Sequence, residues 1–271
     1  MSVGAAINDN VLVEKRKHIL LVTLNRPNHG NALTMSMYQT LSGALQSATA
    51  DDEIRAVVVT GNGKFFTTGA DVQEAAEKAM EGDGPEQIAA SLRKYPISLT
   101  QAFIEFPKFL IAAVNGPVVG YPAGQLGLYD LVFVAESATL QLPFMQLGLV
   151  PEAGSSFTLQ RVMGHPLACD LLFTGRTLSA TEMVQCGVAS RVLPDAGFLG
   201  AVLAIVATAA AENSPRSLMH AKRLMRAPLR RTLDEVNKGE ADALVAMFES
   251  GEPAKRFAKK FMAMREKKSK L

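Results

Sequence analysis

The chain holds 271 residues but only two cysteines, Cys169 and Cys186. They are too few for a disulfide framework, and neither lies in a Cys-x-x-Cys arrangement, so a reducing intracellular compartment is expected. Histidine is nearly as scarce: His18, His29, His165 and His220 form no His-Glu-x-x-His and no paired metal-ligand spacing. No Gly-x-Ser-x-Gly is present either, so metallohydrolase and serine-hydrolase chemistry of those types is disfavoured and no metal is expected. No apolar run approaches the roughly 20 residues of a membrane span. The polar start from Met1 to Asn10 lacks a basic flank followed by an apolar stretch, so a soluble protein without a secretory leader is expected. Neither sign of charge dominates. With 28 basic against 26 acidic residues, nucleic acid and membrane surfaces are not expected as global partners.

What is present is a large apolar fraction, 48%, enough for a substantial core. His18 to Leu24 reads as a buried strand closed by the turn cluster Asn25-Arg26-Pro27-Asn28. From Thr34 to Ala48, Met37, Tyr38, Leu41, Ala44, Leu45 and Ala48 recur at helical spacing. Further strands are expected at Ile54 to Thr60, from Lys108 to Val114, at Leu131 to Val134 and at Thr139 to Leu142. Strands separated by helical segments imply an α/β layer structure with mainly parallel pairing. The polar stretch between Val72 and Phe106, interrupted by Gly82-Asp-Gly-Pro85, is expected to be mobile and to line a pocket. Later come a helix from Ser155 to Met163 stopped by Gly164, and a capping box, Ser179-Ala-Thr-Glu182, opening another. A short strand from Ala189 to Leu193 follows, then helix to the end, with Pro215 at a helix start, Pro228 breaking that helix and Glu252-Pro253 beginning the last. The boundary near Phe198 divides the chain into an α/β core, residues 1–198, and a helical region, residues 199–271.

Three stretches invite chemistry. In Leu147-Gly-Leu-Val-Pro-Glu-Ala-Gly-Ser-Ser156, one carboxylate, Glu152, stands among apolar and small residues, where charge is costly. The plainer alternative is a surface turn at Pro151 and Gly154 with Glu152 in water. Gly61-Asn-Gly-Lys-Phe-Phe-Thr-Thr-Gly-Ala-Asp71 is not a phosphate loop: no glycine precedes Gly63 by five positions, and Phe65 follows the lysine. It reads instead as a strand leading to a helix near Asp71, with free N–H groups around Gly69 and Ala70. Asn115-Gly-Pro-Val-Val-Gly-Tyr-Pro-Ala-Gly124 has the same character, with a short helix starting at Tyr121 and Pro122. Two such N–H groups aimed at one point would form an oxyanion hole. Phe257 and Phe261 beside Lys259 and Lys260 give the last helix one packed and one basic face, and a lysine of this patch is a candidate phosphate contact. Ser269-Lys-Leu271 is a tripeptide of the peroxisomal import type.

Five segments in this order, Leu24-Asn-Arg-Pro27, Val59 to Asp71, Ala113-Val-Asn-Gly116 to Tyr129-Asp130, Leu147-Gly-Leu149 and Phe173-Thr-Gly-Arg176, resemble the enoyl-CoA hydratase/isomerase (crotonase) family over nearly the whole chain. The resemblance implies a spiral of repeated β-β-α turns with a C-terminal helical region that assembles homotrimers or hexamers. It implies a fatty acyl-CoA thioester whose oxygen is held by the amides of Ala70 and Tyr121. Coenzyme A, part of the substrate rather than a separate cofactor, would lie along Thr67, Thr68 and Gly69, with Lys259 at its phosphates. Hydratases of the family use two glutamates at positions matching Gly124 and Phe144, so both carboxylates are missing. Family dehalogenases resemble a pattern that needs a tryptophan, and there is none. Glu152 stands where the Δ3,Δ2-enoyl-CoA isomerases look alike in carrying their acid. The expectation is a β-oxidation isomerase delivered by the peroxisomal import receptor. The alternatives are a dienoyl-CoA isomerase, a thioester hydrolase or a non-catalytic acyl-CoA-binding subunit.

Overall fold

The computed structural model describes residues 9–71, 73–74 and 85–257. Its main layer is a six-stranded sheet in the order β1 (Val11–Arg16), β2 (Ile19–Leu24), β3 (Ala56–Gly61), β4 (Phe109–Val114), β6 (Leu131–Ala135) and β9 (Arg191–Leu193). From β2 onward every pairing is parallel, and only β1 runs antiparallel, as a hairpin turned at Lys17 with φ 51°. The inner strands are almost continuously apolar because both faces are covered: Val57, Val58, Leu110, Ile111 and Ala112 are all fully buried. A second sheet of β5 (Val118–Val119), β7 (Thr139–Gln141) and β8 (Thr177–Ser179) completes the β-β-α winding of the crotonase fold.

The expected strands are present in this order, with β1 and the short β5 and β8 added; β1 is the longest of the three. Its Glu14, Lys15 and Arg16 leave little apolar pattern to read, and those charges suit an exposed sheet edge. Helix α1 (Met35–Ala50) buries the six apolar positions named from its periodicity, and Thr34 caps it by accepting from the Met37 amide. Of the stretch expected to be mobile, residues 72 and 75–84 lie outside the described residues. The rest is packed helix: α2 (Pro85–Leu92), a π turn (Arg93–Ile97) and α3 (Ser98–Glu105), which buries Leu99, Thr100, Phe103 and Ile104.

Short helices follow the strands: α4 (Tyr121–Gly124), α5 (Ser155–Met163), α6 (His165–Cys169) and α7 (Ala180–Gln185). The capping box at Ser179 and Glu182 is formed in both directions. After Phe198 the chain makes α8 (Phe198–Glu212), packed on β2 and β3, and the long α9 (Pro215–Glu249), packed on α2, α3 and α5. Phe198, Val202, Val206 and Leu233 join the same apolar core as the sheet. Pro228 does not break α9, contrary to expectation. It sits on an exposed stretch beside Leu224, which is 72% exposed, so the Leu224 carbonyl that loses its N–H partner faces water. Among the described residues, no single helix is long and apolar enough to cross a membrane.

Candidate active site

Two turns after neighbouring strands are built alike. Thr67 and Val118 form a parallel bridge, in which the Val119 amide donates to the Thr67 carbonyl at 3.0 Å. Three residues beyond each partner stand Ala70 and Tyr121, so the two residues share one register offset on adjacent segments. Glycine makes the approach possible. Gly69 has φ 98° and Gly120 φ 70°, and a Cβ on Gly69 would stand 3.0 Å from the Val119 carbonyl oxygen. On its far side the segment pairs with Leu33, whose amide donates to the Gly69 carbonyl and whose carbonyl accepts from Asp71. The N–H of Ala70 is thereby directed away from Leu33. Neither the Ala70 nor the Tyr121 amide donates a hydrogen bond among the described residues.

Both turns are held from behind. The buried Thr67 hydroxyl donates to the Asn31 carbonyl at 2.7 Å and accepts from the Gly69 amide at 3.1 Å. Asp71 accepts from the amides of Gln73 and Glu74 and pairs with Arg26 at 2.8 Å, with little of either side chain exposed. Burial pushes the Asp71 carboxyl up, but Arg26 and these amides outweigh it and hold the group below the usual range. The Tyr121 ring packs edge-on against Tyr38 with centroids 5.4 Å apart. Its hydroxyl donates to the Pro96 carbonyl at 2.7 Å and accepts from the Gln125 amide at 2.8 Å. The first turn of α4 is therefore fixed at both backbone and side chain.

Glu152 lies in a turn, but not a surface one. Its carbonyl accepts from the Ser155 amide at 3.1 Å across Ala153 and Gly154, which have φ 62° and 77°. Two successive left-handed residues give the type I′ pattern, easy for Gly154 and costing about 1–2 kcal/mol at the non-glycine Ala153. Ala153, Gly154 and Ser155 are buried, and the turn abuts α4, where Gly124 leaves room for the Glu152 backbone. The residue is half-buried, and the protein packed around it leaves its carboxyl poorly solvated. Desolvation first, and then the charge of Glu240, push its pKa up to about 8. The effect reaches Tyr38 and Tyr121, whose phenols are driven well up by burial and further by Glu152. A carboxyl with a pKa pushed up to about 8, on a turn packed against α4, is equipped to take and return a proton.

Thr67, Thr68, Gly69 and Ala70 thus form one turn, with Thr68 and Ala70 exposed and Thr67 and Gly69 buried. Lys259, Phe261 and Ser269-Lys-Leu271 lie outside the described residues. Glu240, absent from the reading above, is only 8% exposed and accepts from the Gly154 and Ser156 amides at 2.7 and 2.8 Å. Its signal was in the spacing, since Leu233, Asn237, Glu240, Ala241 and Leu244 make one buried stripe on α9. A cavity of about 500 Å³ between α3 and α9, ringed by His220, Lys222, Arg223 and Arg226, includes none of these residues. Among the described residues no group of three or more His, Cys, Asp or Glu side chains is placed to hold a metal ion.

The comparisons agree with this architecture. Residues 14–269 match the model of the enoyl-CoA hydratase/isomerase family. The chain belongs to that family. It is 36% identical over 244 residues to enoyl-CoA delta isomerase 2 of Rattus norvegicus, covering 89% of this chain and 61% of the rat protein. Less than two thirds of that relative is therefore matched. It is 32% identical to the peroxisomal enoyl-CoA delta isomerase 3 of Mus musculus, over 97% of this chain and 80% of the mouse protein. A 2,3-dehydroadipyl-CoA hydratase of Escherichia coli is 36% identical, over 80% of this chain and 81% of that one. Among solved structures, OdaA of Pseudomonas aeruginosa superposes with a TM-score of 0.84 at 36% identity, covering 93% of this chain and 98% of that one. The family relatives therefore include both isomerases and hydratases, and the residues at the site must separate them.

Proposed function

We propose that this enoyl-CoA hydratase/isomerase family member moves the double bond of 3-cis- or 3-trans-enoyl-CoA to give 2-trans-enoyl-CoA, in the β-oxidation of unsaturated fatty acids. The observation that carries the reading is the acid present at this turn set against the two family acids that are missing. Glu152 is a half-buried carboxyl with a pKa pushed up to about 8, whereas positions 124 and 144, where the family resemblance puts the hydratase glutamates, hold Gly124 and the fully buried Phe144. Adding water across a double bond needs groups that activate and deliver it, and one carboxyl can do less of this than two. Shifting a double bond needs only one base that gives the same proton back.

In this mechanism Glu152 removes a proton from C2. The C–H electron pair forms a C1–C2 double bond and the carbonyl π pair moves to oxygen, giving a dienolate. The Ala70 and Tyr121 amides receive that oxygen and bind it more strongly as its charge grows. When the carbonyl re-forms, the C1–C2 pair becomes the C2–C3 double bond, and the old C3–C4 pair takes the proton from Glu152 at C4. Coenzyme A, as part of the substrate, is assigned to the backbone of Thr67, Thr68 and Gly69 and to Lys259. Assembly as homotrimers or hexamers and import into peroxisomes through Ser269-Lys-Leu271 complete the proposal. The peroxisomal mouse relative and the tripeptide support the location.

The test is a panel of 3-enoyl-, 2-enoyl- and 3,5-dienoyl-CoA with purified protein. Appearance of the conjugated 2-enoyl thioester from the first substrate, lost in Glu152→Gln, is expected. Hydration of the second or conversion of the third at a greater kcat/KM would replace the reading with hydratase or dienoyl isomerase. Binding without any turnover would make the protein an acyl-CoA binder, and release of free coenzyme A would make it a thioester hydrolase.

A further inference from the structure

Glu240 reaches the site from α9, about ninety residues along the chain and outside every motif that marks the family. Its two carboxyl oxygens are used separately, Oε2 on the Gly154 amide at 2.7 Å and Oε1 on the Ser156 amide at 2.8 Å. Those amides flank Ser155, whose own N–H closes the turn onto the Glu152 carbonyl. Gly154 is the N-cap of α5 and has no side chain to cap it, so Glu240 supplies from another element the acceptor that the helix start lacks. Both oxygens accept from backbone N–H groups, an arrangement suited to a carboxylate and poorly met by an acid whose hydroxyl oxygen carries a proton.

We propose that Glu240 is a positioning residue for Glu152: its carboxylate clamps the left-handed turn at Ala153 and Gly154 that sets the direction of the base, and its buried negative charge keeps that base strong. The proposal rests on the reading of Glu152 as the proton-transferring group. The charges around the pair can be named from each packed element. Tyr38 from α1 and Tyr121 from α4 face Glu152 as neutral phenols, Glu74 reaches Tyr38, and Glu240 comes from α9. At Glu240 itself, burial opposes the charge more than Ser156 and the two amides favour it, so its carboxyl is held above the usual range. Among the described residues no lysine, arginine or histidine pairs with either carboxyl. In its ionised form Glu240 is balanced by the Ser156 hydroxyl and two backbone amides and, among the described residues, by no cation, so its field acts at the base.

A plain structural cap would stabilise the helix start and leave the titration of Glu152 alone. The two roles are separated by measuring kcat, KM and their pH dependence on 3-enoyl-CoA for full-length wild type, E240Q, E240D and E152Q. E240Q is expected to move the rising limb of kcat/KM down by about one pH unit, since a like charge has gone. It is also expected to lower kcat about tenfold with KM nearly unchanged, because the base is misplaced rather than the substrate released. E240D keeps the charge on a shorter arm and should retain the wild-type pH midpoint while losing kcat. This variant decides the question if E240Q does not fold. A folded E240Q with wild-type midpoint and kcat, or an E240D indistinguishable from wild type in kcat, overturns the proposal. If E152Q retains turnover, the assignment of the base falls instead, whatever the Glu240 variants do.

Discussion

A β-carbon placed on Gly124 would stand 2.9 Å from the backbone oxygen of Glu152. The end of α4 and the turn that carries the base are thus in direct contact, with the side-chain hydrogen atom of glycine as the only spacer. Tyr121, three residues earlier on the same short helix, carries one of the two proposed oxyanion donors. The distance between base and oxyanion site is therefore set by a backbone contact rather than by flexible side chains.

Gly124→Ala tests that spacing. The opposing atoms are backbone and the Cβ atoms of Ala153 and Ser155, at 3.4 and 3.3 Å, so the turn must yield by a few tenths of an ångström. A shift of that size at the reacting group is expected to lower kcat about tenfold while acyl-CoA affinity stays close to wild type. Steady-state kinetics with a binding titration check this, and unaltered kcat would show that the turn tolerates displacement.

Glu152→Gln separates chemistry from stability. The carboxyl titrates near 8 in the folded protein because of burial and Glu240, and near the ordinary carboxylate value when unfolded. With the folded pKa raised, the folded state holds the proton longer, so Glu152 costs stability progressively as pH rises from the unfolded value through about 8. The substitution should abolish about 10²- to 10⁴-fold of turnover. Its melting temperature should exceed that of the wild type by more at pH 8.5 than at pH 5. Wild-type kcat/KM should climb with pH and level off above about 8. A melting difference that is flat with pH would mean that Glu152 is ordinarily solvated.

How far these features were legible in the sequence follows from the range of the forces that make them. Helix α1 was readable in full because six apolar residues at helical spacing can satisfy one buried face and no other arrangement. The turns at Gly69 and Gly120 were readable because glycine and proline mark backbone that side-chain residues adopt poorly. Glu152 stood out as a charge among apolar neighbours, but the cause of its raised pKa was not readable in full, since burial depends on the packed fold and Glu240 comes from across it. Glu240 was hidden among the charges of a long helix, where only the stripe from Leu233 to Leu244 betrays its direction. Strand β1 was missed because an edge strand needs little apolar pattern. Pro228 misled because an exposed proline can be carried by a helix anchored at both ends.

One of those anchors is Asp130. Its carboxylate accepts from the Leu110 amide at 2.8 Å, from Lys222 at 2.7 Å and from Arg226 at 3.1 Å, so β4, the start of β6 and the first half of α9 meet at one acid. Lys222 has little exposed side chain, and desolvation already draws its pKa down. Asp130→Asn leaves that ammonium without a counter-charge and is expected to destabilise the fold by about 3 kcal/mol. Arg231→Ala, which removes the wholly exposed pair with Glu235, should cost less than about 0.5 kcal/mol. Urea denaturation of both variants makes the comparison, and equal effects would refute the ranking.

Pro228 lies between the two anchors of α9, with Lys222 and Arg226 on Asp130 before it and Glu240 on the Glu152 turn after it. A proline in a helix interior costs about 3 kcal/mol relative to alanine, through the lost N–H and the clash with the carbonyl one turn back. Pro228→Ala restores a hydrogen bond to the Leu224 carbonyl and should raise the denaturation midpoint, with about 3 kcal/mol as the ceiling. Since residue 228 touches neither anchor, kcat on 3-enoyl-CoA should stay within about twofold of wild type. A variant that is less stable, or that loses kcat, would mean that the proline sets the angle between the halves of α9. In that case the local backbone at Pro228 would set how Glu240 meets Gly154, and changing it would draw the clamp away from the base.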